Sequence, residues 1–165
     1  MKTLVLVRHA KTEISSNSGH DFDRKLIQRG QSDALDMALR LKQQQIIPDM
    51  IISSTAIRAQ QTAHIFALTC DLPIDKIKSK YALYNATPDR IETVIESEVP
   101  SNVNTVLIVG HNPGITYYAA SLGGISMIDS MPTCSMVAFN CDLKDWVDFP
   151  NQKPIFLFYD FPKNF

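Results

Sequence analysis

A chain of 165 residues with 16 Lys and Arg against 17 Asp and Glu carries a formal charge of -1. That balance excludes a generally basic surface for nucleic acid or anionic membrane, and 45% hydrophobic with 20% charged residues excludes a disordered or fibrous chain. The apolar run Leu4–Val7 stops at Arg8-His9, too soon for a signal-peptide core or a membrane span. Three cysteines without a CxxC spacing offer neither a disulfide framework nor a thiolate zinc site. The expectation is one soluble, cytoplasmic domain over residues 1–165.

Thr3–Val7 reads as a buried strand, being short, aliphatic and ended by polar residues. A helix follows from about Ile27 to Gln44, with Leu35, Ala38 and Leu39 on its apolar side. Met50–Ser53 is a second strand, and Thr55 is the N-cap expected for a helix running through Ala59, Ala63 and Phe66 to Thr69. Pro88 opens a third helix through Glu96, Val106–Val109 forms the next strand, and Pro113 opens a fourth helix to Leu122. Met136–Asn140 and Ile155–Tyr159 leave no room for a crossover helix, so they pair antiparallel. The rhythm predicts an α/β fold: a three-layer α/β/α sandwich whose mainly parallel central sheet ends in antiparallel C-terminal strands. The irregular pieces are Glu13–Asp23, Lys78–Thr87, Gly123–Thr133 and Asp142–Pro154, and the last two read as plain surface connections.

The residues just after the early strands carry the chemistry. The first strand ends in Arg8-His9, the second in Ser53-Ser54 ahead of a helix bearing Arg58, and the Val106–Val109 strand in Gly110-His111-Asn112-Pro113-Gly114. Carboxyl ends of parallel strands share one edge, where ligands bind, so two arginines and two histidines converge. Arg58 also opposes the positive end of its helix dipole, a mismatch that a bound anion reverses. Alone, Arg58 reads as a solvated helix residue and His9 as a core histidine satisfied by a carbonyl. Together they describe a neutral imidazole kept deprotonated beside guanidiniums, which is a nucleophile for phosphoryl transfer.

Arg8-His9-Ala10 resembles the RHG signature of the histidine phosphatase (phosphoglycerate mutase-like) superfamily, with Ala10 in place of its glycine. The resemblance continues through Asp21-Phe22-Asp23-Arg24-Lys25-Leu26 with Gly30, through Ser53–Ala63, and through Gly110-His111-Asn112-Pro113. It is greatest for the short SixA-type phosphohistidine phosphatases and covers the chain to about residue 140. It implies a phosphohistidine intermediate on His9, a phosphate pocket completed by Arg8, Arg58 and His111, and no metal or other cofactor. Asp21 and Arg24 match positions near the pocket and are its candidate substrate-binding residues. In Leu83-Tyr84-Asn85-Ala86, larger relatives carry the glutamate that protonates the leaving group, and Asn85 cannot supply that proton. An ester's alkoxide needs it, whereas a phosphoramidate's imidazole leaves readily. The expected substrate is therefore a phosphorylated protein carrying phosphohistidine, with Glu13 or Asp21 as the weaker candidates for a replacement acid. A length that leaves no room for a cap also suits an open site.

Other readings fare worse. His20-Asp21 suggests a metal hydrolase of the HD type, but those proteins are all-helical and this chain is strand-rich. His64 lies mid-helix and reads as packing or surface. A cysteine phosphatase needs an arginine six residues after its nucleophile, where Cys70 has Lys76 and Cys134 has Asn140. No GxxxxGK[ST] loop occurs. The alternatives left open are a small-molecule phosphomonoesterase, with a small phosphorylated substrate, and a non-catalytic phosphate-binding module.

Overall fold

A computed structural model describes residues 1–123 and 130–164. Six strands form one sheet: β1 (Lys2–Arg8), β2 (Met50–Ser54), β3 (Ile77–Lys80), β4 (Thr105–Gly110), β5 (Met136–Cys141) and β6 (Ile155–Asp160), ordered β3-β2-β4-β1-β5-β6. Four helices connect and cover them: α1 (Gln28–Gln43), α2 (Ile57–Thr69), α3 (Pro88–Glu98) and α4 (Gly114–Leu122). β2 runs parallel to β3 and β4, and β4 parallel to β1; β5 is antiparallel to both β1 and β6. The α/β sandwich with antiparallel C-terminal strands is therefore the observed architecture.

Strand alternation splits the core into two layers. Leu4, Leu6, Ile52, Ile108 and Phe139 face α3 and α4, while Val5, Val7, Ile51, Leu107 and Val109 face α1 and α2. Because β1, β2 and β4 run parallel, their last residues share one sheet edge. Arg8 pairs in register with Gly110, and Ser53 with Val109.

Four local expectations are corrected. The buried side of α1 is Gly30, Ala34, Met37, Ala38 and Leu41, and Leu35 and Leu39 are exposed. At the start of α1 the approach is so close that a Cβ at Gly30 would collide with the Lys11 carbonyl. Thr55 does not cap α2; the N-cap is Ala56, and its amide donates to Ser54 Oγ. β3 falls partly in the stretch expected to be irregular, being a short and partly exposed edge strand without alternation. Finally, Asp142–Pro154 is no plain surface connection. Its 3-10 segment Trp146–Asn151 buries Trp146 and Phe149 in the core, with Trp146 Nε1 donating to the Val103 carbonyl at 2.7 Å. The Gly123–Thr133 connection lies partly outside the described residues, but Met131 is fully buried. Cys70, Cys134 and Cys141 are buried free thiols. Among the described residues no helix is long and apolar enough to cross a membrane.

Candidate active site

β1 delivers Arg8 and His9 to the carboxyl edge of the sheet, and the backbone there is tied on both sides. The Arg8 amide donates to the Ser135 carbonyl, that of His9 to Gly110, and that of Cys134 to His9. His9 is 5% exposed and its Nδ1 lies 2.8 Å from the Ala10 carbonyl. A carbonyl only accepts, so Nδ1 carries the proton and Nε2 keeps its lone pair. That lone pair receives Arg58 Nε at 3.3 Å. Burial pushes His9 down to about 3 despite the Ala10 bond, with His111, Arg58 and Arg8 adding to the shift. The imidazole is neutral at physiological pH.

Arg58, in the first turn of α2, is buried at 3% exposure, so it is not a solvated helix residue. Its other two nitrogens donate to Asp21, one to the backbone carbonyl at 2.7 Å and one to Oδ2 at 2.9 Å. The Tyr84 hydroxyl donates to the same oxygen at 2.7 Å, and Arg24 Nε to Oδ1 at 3.0 Å. Desolvation works to raise the Asp21 carboxyl, but Tyr84 and Arg58 outweigh it and hold it at about 2. Asp21 is thus an anchor for Arg58 and is ionised.

His111 follows β4 and packs against His9 with ring centroids 5.2 Å apart. Its Nε2 is 2.7 Å from Ser54 Oγ, and Nδ1, buried, has no hydrogen-bond partner among the described residues. Burial and Arg58 push it down to about 3, against the pull of Asp21. Arg8 is held by one nitrogen, which donates to the Met131 carbonyl at 2.8 Å, while its buried Nε likewise finds no partner among the described residues. Buried polar groups are normally paired. Two unpaired nitrogens on Arg8 and His111, the neighbours of His9 in sequence and in space, suit an anion.

The structure thus brings Arg8, His9, Arg58, His111 and Asp21 together, with Arg24 one step outside, bonded to Asp21, to Thr12 Oγ1 at 2.9 Å and to the Glu13 carbonyl. His20, next to Asp21, is exposed, and His64 is exposed on α2, bonding the Gln60 carbonyl within its helix. Asn85 is exposed in a left-handed turn, φ 49°. No group of three or more His, Cys, Asp or Glu among the described residues is placed to hold a metal.

Several contributors are not evident from sequence. Ser54 anchors His111. Thr62 Oγ1 accepts the Ala10 amide at 3.0 Å, and Gln61 Oε1 accepts the Leu26 amide at 2.8 Å. Asn112 Nδ2 holds the Met131 carbonyl at 2.9 Å, which in turn orients Arg8. Polar residues inside the strand-end motifs were the available signal for all four. Nothing marked Tyr84 beyond its place next to Asn85.

Residues 4–79 match the model of the Histidine phosphatase superfamily (branch 1). An uncharacterized protein of Mycobacterium tuberculosis is 37% identical over 129 residues, 75% of this chain and 74% of that one. An uncharacterized chloroplastic protein of Arabidopsis thaliana is 27% identical over 152 residues, 88% of this chain and 69% of that one. Among solved structures, the SixA protein from Agrobacterium tumefaciens superposes with a TM-score of 0.80 at 24% identity, covering 96% of this chain and 97% of that one. The protein histidine phosphatase SixA complexed with tungstate gives 0.82 at 20% identity and 98% of both chains. At these identities the structural likeness is one of fold. The chain belongs to the histidine phosphatase superfamily (branch 1). Its reaction class is that of a phosphohydrolase.

Proposed function

We propose that the protein is a metal-independent phosphohistidine phosphatase acting on phosphorylated proteins through a phospho-His9 intermediate. The observation that carries this is the tautomer of His9. The Nδ1 bond to the Ala10 carbonyl leaves Nε2 unprotonated, its lone pair held only by a long contact from Arg58 Nε that a phosphoryl group can displace. In the first step Nε2 attacks phosphorus in line, the N–P bond forms and the bond to the leaving group breaks; a phosphohistidine protonated on its other ring nitrogen departs as neutral imidazole, the bonding pair becoming its lone pair. Arg8, Arg58 and His111 hold the phosphoryl oxygens and offset their charge. Water then attacks phosphorus, the N–P bond breaks, and its pair returns to Nε2.

The substrate reading is supported by the proton donors the site lacks among the described residues. Asp21 is held at about 2 and is ionised, and Glu13 Oε2 accepts the Lys25 amide at 2.6 Å. The Tyr84 proton is committed to Asp21, and Asn85 is no acid. A pocket whose described residues offer no free acid suits a leaving imidazole better than a leaving alkoxide. The cysteines, free and buried, support a reducing, cytoplasmic setting. A tungstate-bound protein histidine phosphatase and a mycobacterial glucosyl-3-phosphoglycerate phosphatase, the latter at TM-score 0.68 and 17% identity, share the fold. Fold therefore does not choose between protein and small-molecule substrates, and the chemistry of the leaving group favours the former.

The test compares rates on a phosphohistidine protein, phosphoimidazole and phosphomonoesters in metal-free buffer, with trapping of label on the enzyme. We expect preference for the phosphoramidates and an acid-labile label that His9→Ala abolishes. Preference for esters overturns the substrate, persistent label in His9→Ala overturns the nucleophile, and absence of all turnover leaves a binding module.

A further inference from the structure

Phe22, Tyr81 and Tyr84 form an aromatic cluster beside the pocket that the phosphoryl chemistry does not use. Phe22 meets Tyr84 edge to face with centroids 5.1 Å apart, and Tyr81 lies 5.9 Å from Tyr84 and 6.4 Å from Phe22. Tyr84 reaches the site itself. Its ring stands edge to face with His111 at 5.4 Å, and the Arg58 guanidinium carbon lies 5.9 Å from its centroid.

The local backbone holds this wall in place. Tyr81–Leu83 is a 3-10 turn whose Leu83 is buried, the Tyr84 amide closes it on the Tyr81 carbonyl, and Asn85 turns the chain away. On the other side Phe22 sits in the 3-10 turn Asp21–Asp23, whose Asp21 grips both Arg58 and Tyr84. The Tyr84 hydroxyl is committed to Asp21, which leaves its ring as the part that can meet a ligand. Tyr81 is 68% exposed, an aromatic ring displayed at the rim.

We infer that Phe22, Tyr81 and Tyr84 form the leaving-group subsite and select phosphoryl groups carried on a flat aromatic ring, as imidazole is, over those carried on a chain or a saturated ring. The inference rests on the reading of the His9 pocket as the phosphoryl site. Aromatic rings attract one another in offset or edge-to-face geometry beyond what buried area alone gives. A flat leaving group therefore gains here what an aliphatic one of equal size does not.

Binding of non-hydrolysable phosphonates separates this claim from turnover. Calorimetry on the full chain should show phenylphosphonate binding about fivefold tighter than cyclohexylphosphonate, which is as apolar but not flat, and tighter still than methylphosphonate. Tyr81→Leu and Phe22→Leu should each bring the phenyl-to-cyclohexyl ratio close to one. Tyr81, being exposed, is the substitution that leaves folding least disturbed. Equal binding of phenyl and cyclohexyl by the parent chain overturns the subsite, as does a ratio unchanged in both variants or no phosphonate binding at all. A clear ring preference without turnover of any phosphate would instead count against catalysis and leave the subsite standing.

Discussion

At the scale of single residues, Arg58 connects most of the site. It donates to His9 Nε2, to the Asp21 carbonyl and to the Asp21 carboxylate, and does so from a buried position at the positive end of a helix. Dipole and charge disfavour each other there, and Asp21 relieves only part of the conflict because its side chain is half exposed. A phosphoryl group would relieve the rest. Arg58→Ala should therefore weaken competitive inhibition by phosphate or vanadate by about 10- to 100-fold, the range for one or two charge-assisted hydrogen bonds. Arg58→Lys should recover little, since one ammonium cannot reach His9 and Asp21 in the same geometry. Inhibition constants close to the parent value in both variants would remove Arg58 from the pocket.

At the scale of elements, the site depends on α2 being fastened to the loop after β1. Thr62, one turn beyond Arg58, donates to the Arg58 carbonyl at 2.8 Å and accepts the buried Ala10 amide. Thr62→Val keeps the shape but orphans that amide, so it should cost about 1–3 kcal/mol, read as a lowered urea midpoint with an unchanged m-value. The rate should fall as well, because Ala10 also supplies the carbonyl that sets the His9 tautomer. A parent-like midpoint would show that the amide finds another partner. The strands β1, β2 and β4 and the convergence of Arg8, His9, Arg58 and His111 were legible, because strand ends in a parallel sheet meet wherever the loops go. The features that escaped depended on packing across the fold. The buried side of α1 is anchored where Gly30 passes the Lys11 carbonyl, a contact between distant segments that turns Ala34, Met37 and Leu41 inward and leaves Leu35 and Leu39 exposed. Tyr84 reaches Asp21 across 63 positions, and no local spacing encodes that contact.

At the scale of the whole molecule, a net charge of -1 conceals a buried cationic pocket, and its consequence is a pH dependence of stability. His9 and His111 are both pushed from 6.5 to about 3 in the folded protein, chiefly by burial. The unfolded chain binds their protons near 6.5 and the folded chain does not, so the unfolded state binds more protons between these values. Their contribution is present above pH 6.5 and is lost as pH falls toward 3. Asp21, held at about 2, acts in the same direction below 3.8 but is half exposed and counts for less. Glu92, raised mainly by burial, acts the other way. The decisive window is pH 6 to 5, above the range of most carboxylates. There each histidine should remove about 1.4 kcal/mol per pH unit, roughly twice that for the pair. Urea unfolding midpoints across this window should fall steeply, and His111→Asn should about halve the slope. A midpoint flat from pH 6.5 to 5 would mean that the folded pocket accepts these protons, and a neutral His9 nucleophile would lose its physical basis.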